Sequence, residues 1–217
     1  MTGEIAIPGL PLVLSGPSGG GKTSVCSELL RRRDDVTFSV SVTTRAPRKG
    51  ELEGRDYYFT DRAGFEAMTR TGELLEWAEV HGNLYGTPRH QLDECLEAGR
   101  ALLLDIDVEG ARWVRKRVPD AVLVFLLPPS ADVMMSRLRG RGSEPEESLR
   151  RRMESAVLEL EAISQFDYAV VNEDFKSTVD AVESILEAER RSVDRLGPDL
   201  IARAETLASA LQSTLAV

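Results

Sequence analysis

The chain has 217 residues, of which 42% are apolar and 29% charged, the make-up of one globular domain, or one with small inserts, that can bury a core. Twenty-seven lysines and arginines against 36 aspartates and glutamates leave a formal charge of −9. General affinity for nucleic acid or an anionic membrane is thereby disfavoured, and an anionic substrate needs a local basic cluster. No stretch is long enough for a membrane span, the N-terminal residues lack a basic leader, and Cys26 and Cys95 have no partner at metal-ligand spacing. The expected location is the cytoplasm, with both thiols reduced and buried.

In chain order, Leu10–Leu14 is an apolar run that fits a strand buried on both faces. A glycine-rich loop follows, then a helical pattern over Thr23–Arg33 with Val25, Leu29 and Leu30 inward. The segment from about Ser39 to Glu97 reads as a small inserted subdomain, with strand-like patches at Phe38–Val42, Asp56–Thr60 and Leu74–Val80 separated by glycine turns. Thr87, before Pro88, is suited to cap the helix expected next. Ala101–Leu104 and Ala121–Leu127 are two more apolar strands, the second ended by Pro128-Pro129. Arg137–Arg152, rich in arginine and glycine, has the composition of a mobile cover. A helix over Glu146–Ser164 repeats Leu149, Met153, Ala156, Val157 and Leu160, with Pro145 at its first position and Glu146 and Glu147 in its first turn. Tyr168–Val171 adds a strand. Beyond Leu196-Gly197-Pro198, a last amphipathic helix carries Leu200, Ala204, Leu207, Ala208, Leu211 and Leu215 on one face and is expected to pack on the core. Alternating strands and helices define an α/β doubly wound parallel sheet with helices on both faces. The expected division is a core of about 10–38, 98–136 and 153–217, an insert of about 39–97 and a lid of about 137–152.

Gly16-Pro17-Ser18-Gly19-Gly20-Gly21-Lys22-Thr23 matches GxxxxGK[ST], and Ser24 continues it into the helix. Glycines let backbone N–H groups turn inward around phosphate oxygens, and the following helix adds its positive end. Lys22 reaches the β and γ phosphates, and the Thr23 hydroxyl supplies an oxygen to Mg²⁺. With an apolar strand before it and a helix after it, this loop holds a nucleoside triphosphate. Asp105 and Asp107 close the strand Ala101–Leu104, where a carboxylate either holds the water shell of the metal or touches the acceptor.

A second basic cluster, Arg45, Arg48 and Arg55 with Tyr57, offers the forked donors that a phosphate monoester needs. Further landmarks follow: Ser39–Glu51 as SVxxTTRxPRxGE, Gly54–Phe59 as GxDYxF, Glu76–Gly86 as EWAxxxGNxYG, Leu104–Gly110 as LDIDxxG, Arg137–Gly142 as RLxxRG, and Val170–Asn172 as VxN. Taken together with the loop, and spanning roughly Leu12 to Ile185, these residues resemble the guanylate kinase family.

The resemblance implies a phosphoryl transfer from ATP to GMP with Mg²⁺, with dGMP as an open second acceptor and neither nucleic acid nor membrane as partner. It implies that Arg45, Arg48, Tyr57 and Tyr85 hold the GMP phosphate, while Ser41, Glu76, Thr87 and Asp107 read the guanine, with Asp105 beside them. Arg137, Arg141 and Arg152 correspond to the lid arginines, and Asn172 to a contact with the adenine of ATP. Arg139, Arg150 and Arg151 match no landmark and read as a solvated helix face. Two other functions share much of this pattern: a non-catalytic interaction module of the same fold, and a related kinase for another phosphorylated small molecule. Oligomeric state is open.

Overall fold

A computed structural model describes residues 7–80, 82–139 and 146–215. Two sheets organise the chain. The larger is parallel throughout, with the strand order β2 (Val36–Phe38), β7 (Ala101–Asp105), β1 (Leu10–Ser15), β8 (Val122–Leu127), β9 (Tyr168–Val171). β1 lies at the centre, and the chain leaves it for β2 on one side before returning to β8 on the other. That reversal opens a crevice beyond the carboxyl end of β1, where open α/β sheets place their ligands.

The apolar runs explain the two-sided burial. Leu10, Leu12 and Leu14 of β1 pack under α1 (Lys22–Arg32) and α7 (Phe175–Arg190), against Val25, Leu29, Val179, Val182 and Leu186. The alternate residue, Val13, joins Leu102 and Leu104 on the opposite face, against Leu92 and Cys95 of α3 (Arg89–Glu97) and Ala111 and Val114 of α4 (Val108–Arg117). A strand buried on both sides has no polar face to show, so the run is continuous rather than alternating. Cys26 and Cys95 are buried free thiols, one in each of these layers.

The smaller sheet is drawn from residues 42–88, in the order β4 (Tyr58–Phe59), β3 (Val42–Thr43), β6 (Asn83–Pro88), β5 (Leu74–Val80). Its own core is Val42, Phe65, Leu74 and Leu84. Phe65 comes from α2 (Arg62–Thr71), which is capped by the Asp61 carboxylate on the Gly64 N–H and stopped by Gly72 at φ 75°. The Phe38–Val42 patch is split between the sheets: Phe38 closes β2 in the large sheet, and Val42 opens β3 in the small one.

Three further expectations are corrected. Thr87 does not cap α3. Pro88 occupies the N-cap without a side-chain bond, and the Thr87 hydroxyl turns inward to Glu76. The helix over 146–164 is α6 (Glu146–Glu161), followed by a 3₁₀ turn at Ala162–Gln165; Ala156 is buried, but Met153 and Val157 of the expected apolar face are exposed. Pro145 lies outside the described residues. The terminal helix, α8 (Val193–Leu215), breaks its helical dihedrals at Gly197, and from residue 201 to 215 it is exposed on every face, Leu211 by 66%. Residues 201–215 do not pack on the core. No helix among the described residues is long and apolar enough to cross a membrane.

Candidate active site

The phosphate loop leaves β1 at Ser15 and turns back into α1. Gly16 has φ 134°, and a Cβ there would lie 2.4 Å from the Leu126 carbonyl oxygen, so only glycine allows the turn so close to β8. α1 starts at Gly21, with φ 96° and no side-chain cap. The helices α2, α4 and α7 each begin on an aspartate that takes up an N-terminal N–H. At α1 the N-cap is a glycine with no side chain to take up these donors, which suits an anion. Lys22 curls over the loop, its Nζ donating to the Gly16 carbonyl at 2.7 Å. Thr23 Oγ1 donates to Asp105 Oδ2 at 3.0 Å.

Beside the loop lies a cavity of about 460 Å³ walled by Gly19, Gly21, Ser24, Arg137, Asn172, Glu173 and Phe175. Asn172, expected against adenine, is 4% exposed and has its amide committed to the loop: Nδ2 donates to the Gly20 carbonyl at 2.7 Å, and Oδ1 accepts from Thr178. Arg137, at the end of α5 (Ala131–Arg139), donates to the Gly19 and Gly20 carbonyls at 3.4 Å each. Arg152 of α6 donates to Ser18 Oγ at 3.2 Å. Arg141 lies outside the described residues. Arg150 is exposed and pairs with Glu154 one turn along α6.

Tyr57 of the second basic cluster lines a separate cavity of about 270 Å³, while Arg45, Arg48 and Arg55 lie outside its wall. Ser41, Tyr57, Glu76, Tyr85, Asp105 and Asp107 line it, with Ala78, Gly86, Ile106 and Gly110. Glu76 on β5 stands directly across from Thr87 on β6, whose Oγ1 donates to Glu76 Oε1 at 2.6 Å. Burial, with Asp107 nearby, raises the Glu76 carboxyl to about 7 from an ordinary 4.5, although Thr87 pulls the other way. Asp107 also caps α4, accepting the Gly110 N–H at 2.7 Å. Tyr57 and Tyr85 meet edge-on, their ring centres 6.0 Å apart, and the Arg45 guanidinium lies 5.2 Å from the Tyr57 ring centre. Arg45 forms a two-pronged pair with Glu51, at 2.8 and 3.0 Å. Arg48 is exposed and outside the cavity wall.

Sequence reasoning missed Phe175 and Glu173 in the cavity beside the loop, Glu51 on Arg45, and Glu159, whose carboxylate takes the Ser18 N–H. Adjacency to Asn172 was a usable signal for the first two. Glu51 was quoted only as the end of a motif, and nothing local marks Glu159.

A triphosphate loop at the switch point of a parallel sheet, and an acceptor-sized cavity one strand away with a buried carboxylate and an arginine–tyrosine group, define a phosphate-loop kinase for a small phosphorylated acceptor. The family model described as Guanylate kinase matches residues 9–189, and the chain belongs to that family. A guanylate kinase of Desulfitobacterium hafniense is 46% identical over 187 residues, covering 86% of this chain and 94% of that protein. One of Thermobifida fusca is 51% identical over 176 residues, covering 81% and 90%. The crystal structure of guanylate kinase from Anaplasma phagocytophilum superposes with a TM-score of 0.73 at 40% identity, covering 88% of this chain and 91% of that one.

Proposed function

We propose that the protein is an ATP:GMP phosphotransferase whose two cavities hold the two nucleotides on either side of the phosphate loop. One observation carries the choice of acceptor: Glu76, 4% exposed, lies in the wall of the smaller cavity with Thr87 bonded to it. An ionised Glu76 accepts from both N1–H and the 2-amino group of guanine. Adenine has neither donor and leaves the buried carboxylate poorly paired, which is how such a site rejects the wrong base. Ser41, Thr87 and Asp107 complete the base contacts.

The GMP phosphate falls to Arg45, Arg48, Tyr57 and Tyr85, so the phosphate takes the place that the Glu51 carboxylate has on Arg45. Pro17, Ser18, Gly19, Gly20 and Gly21 wrap the ATP phosphates together with Lys22, and Ser24 and Asn172 flank the donor cavity. A GMP phosphate oxygen attacks the γ-phosphorus in line; the new P–O bond forms as the bond to the β–γ bridging oxygen breaks, and ADP leaves. Lys22 with Arg137, Arg141 and Arg152 neutralises charge on the transferred group. The paired hydroxyl and carboxylate of Thr23 and Asp105 form a hard oxygen set that fits Mg²⁺, and these two residues would hold the ion beside the phosphates. When bound, the ion screens the β and γ phosphate charge.

The substrates are small molecules, with dGMP a second acceptor, and the cytoplasm is the location that suits two unpaired cysteines. A coupled assay offering GMP, AMP, CMP and UMP tests the reading. GMP is expected to be turned over far faster than the rest, and turnover of AMP without GMP would overturn the base assignment.

A further inference from the structure

One carboxylate near the phosphate loop has no part in the scheme above. Glu159 lies on α6, far from the loop in sequence, and its Oε2 accepts the Ser18 backbone N–H at 3.0 Å. The side chain is half-buried. Burial lifts its carboxyl above the ordinary range, while the Ser18 N–H and the Lys22 charge draw it down and Asp107 pushes it up. Seven residues earlier on the same helix, Arg152 donates to the hydroxyl of the same Ser18 at 3.2 Å and to the Leu138 carbonyl at 3.3 Å. Seven residues are two helical turns, about 10 Å along one face. One loop residue is therefore gripped twice by one helix, through its main chain and its side chain.

A half-buried N–H at the tip of a tight loop needs an acceptor, and a water molecule would satisfy it. A carboxylate anchored on another element does more, because it sets both the rotation and the height of that element against the loop. The Pro17–Gly20 turn, closed by the Gly20 N–H on the Pro17 carbonyl at 2.9 Å, gives the anchor a stiff base.

We infer that Glu159 is a positioning residue for phosphoryl transfer, fixing α6 on the phosphate loop through the Ser18 N–H so that Arg152 is aimed at the triphosphate. The inference rests on the reading of Arg152 as a lid arginine. Its action requires an acceptor oxygen at the right reach and does not require the negative charge. Glu159→Gln keeps the reach and loses the charge; Glu159→Asp keeps the charge and loses the reach.

The test is steady-state kinetics of E159Q, E159D, E159A, R152A and E159A/R152A, with melting temperatures alongside. E159Q is expected to keep kcat within about threefold, whereas E159D and E159A lose about 10- to 100-fold in kcat, the scale of a group displaced by an ångström. KM for GMP is expected to stay within about twofold, since the anchor touches only the donor side. In the R152A background, E159A is expected to cost less than about twofold further, because its effect runs through Arg152. E159D at the wild-type rate with E159Q slow would overturn the inference, and so would losses that multiply in the double variant. If E159A does not fold, the E159Q and E159D pair decides alone. R152A at the wild-type rate would remove the lid assignment and this inference with it. R152A slow with both E159D and E159A at the wild-type rate would overturn this inference only.

Discussion

Thr87 Oγ1 and Glu76 Oε1 are 2.6 Å apart, on directly opposed residues of β6 and β5. The threonine hydroxyl spends its proton on a carboxylate that is otherwise walled in, and this fixes which way the carboxylate points. Replacing Thr87 by valine keeps the shape and removes the donor. A hydrogen bond to a charged group contributes about 1.5–3 kcal/mol, so T87V is expected to weaken GMP binding by roughly 10- to 100-fold. Affinity for ATP should change little. Equilibrium binding of each nucleotide separates the two effects, and equal losses for both would show a general collapse of the site.

Glu76 makes stability depend on pH in an unusual direction for a carboxylate. Its carboxyl titrates at about 7 in the folded protein and near 4.5 when unfolded, so between these values the folded state binds more protons. The stability it contributes is whole below pH 4.5 and is lost as pH rises through 7; that displacement corresponds to about 3 kcal/mol. Urea unfolding at pH 5 and pH 8 should show wild type losing stability relative to E76Q by up to this amount. GMP demands the ionised form, so binding at pH 7 should release about half a proton from this site. Calorimetry in two buffers of different ionisation enthalpy reads that release, and E76Q should lack it.

Lys22 donates to the Gly16 carbonyl and is the cation nearest the loop's own backbone. K22M keeps the length of the side chain and removes the charge. Loss of one donor preorganised for the transferring group costs about 10²–10³ in kcat. The expected result is a fall of that size in the GMP-dependent rate with GMP binding intact. An unchanged rate would exclude Lys22 from the chemistry.

Asn172 ties the end of β9 to the phosphate loop, and Gly21 leaves it the space to do so. A Cβ on Gly21 would lie 2.4 Å from Asn172 Nδ2, at a φ of 96° that L-residues resist. N172A removes the shorter of two donors to the Gly20 carbonyl and leaves Arg137 at 3.4 Å, at a cost of about 0.5–1.5 kcal/mol. Both G21A and N172A are expected to raise KM for ATP, and N172A should also lower the melting temperature. KM for GMP serves as the internal control.

The exposed α8 makes a prediction of the opposite kind. Since residues 201–215 cover none of the described core, ending the chain after Leu200 should cost less than about 1 kcal/mol, a melting shift under about 2–4 °C. The turnover rate should remain. Measuring mass in solution for both lengths shows whether the helix serves association instead.

Much of the site was legible because its chemistry demands particular residues in local order. Gly16 to Thr23 can do little else after an apolar strand, and the runs at 10–14, 101–104 and 121–127 could only be strands buried on both faces. What depended on distant pairing was hidden. The patch at 38–42 looked like one strand, yet pairing of Phe38 with Leu103 and of Val42 with Gly86 divides it between sheets. Thr87 had the right neighbours for a helix cap, but a buried carboxylate across the ladder outcompeted the helix end for its hydroxyl. Glu159 meets a backbone N–H rather than a side chain, so no residue type near Ser18 could announce it. The periodicity at 200–215 marked an amphipathic helix without saying what, if anything, lies against it.

Asp105 belongs to both halves of the molecule: its carboxylate holds Thr23 on the donor loop, and its residue lines the cavity that contains Glu76. A wall shared by two rooms transmits what happens in either. A ligand that moved Asp105 on one side would move the wall of the other, and reciprocity would require each side to influence the other's affinity by the same factor. Order of arrival would then leave the final energy untouched, and binding on the two sides of Asp105 would be read as one coupled equilibrium.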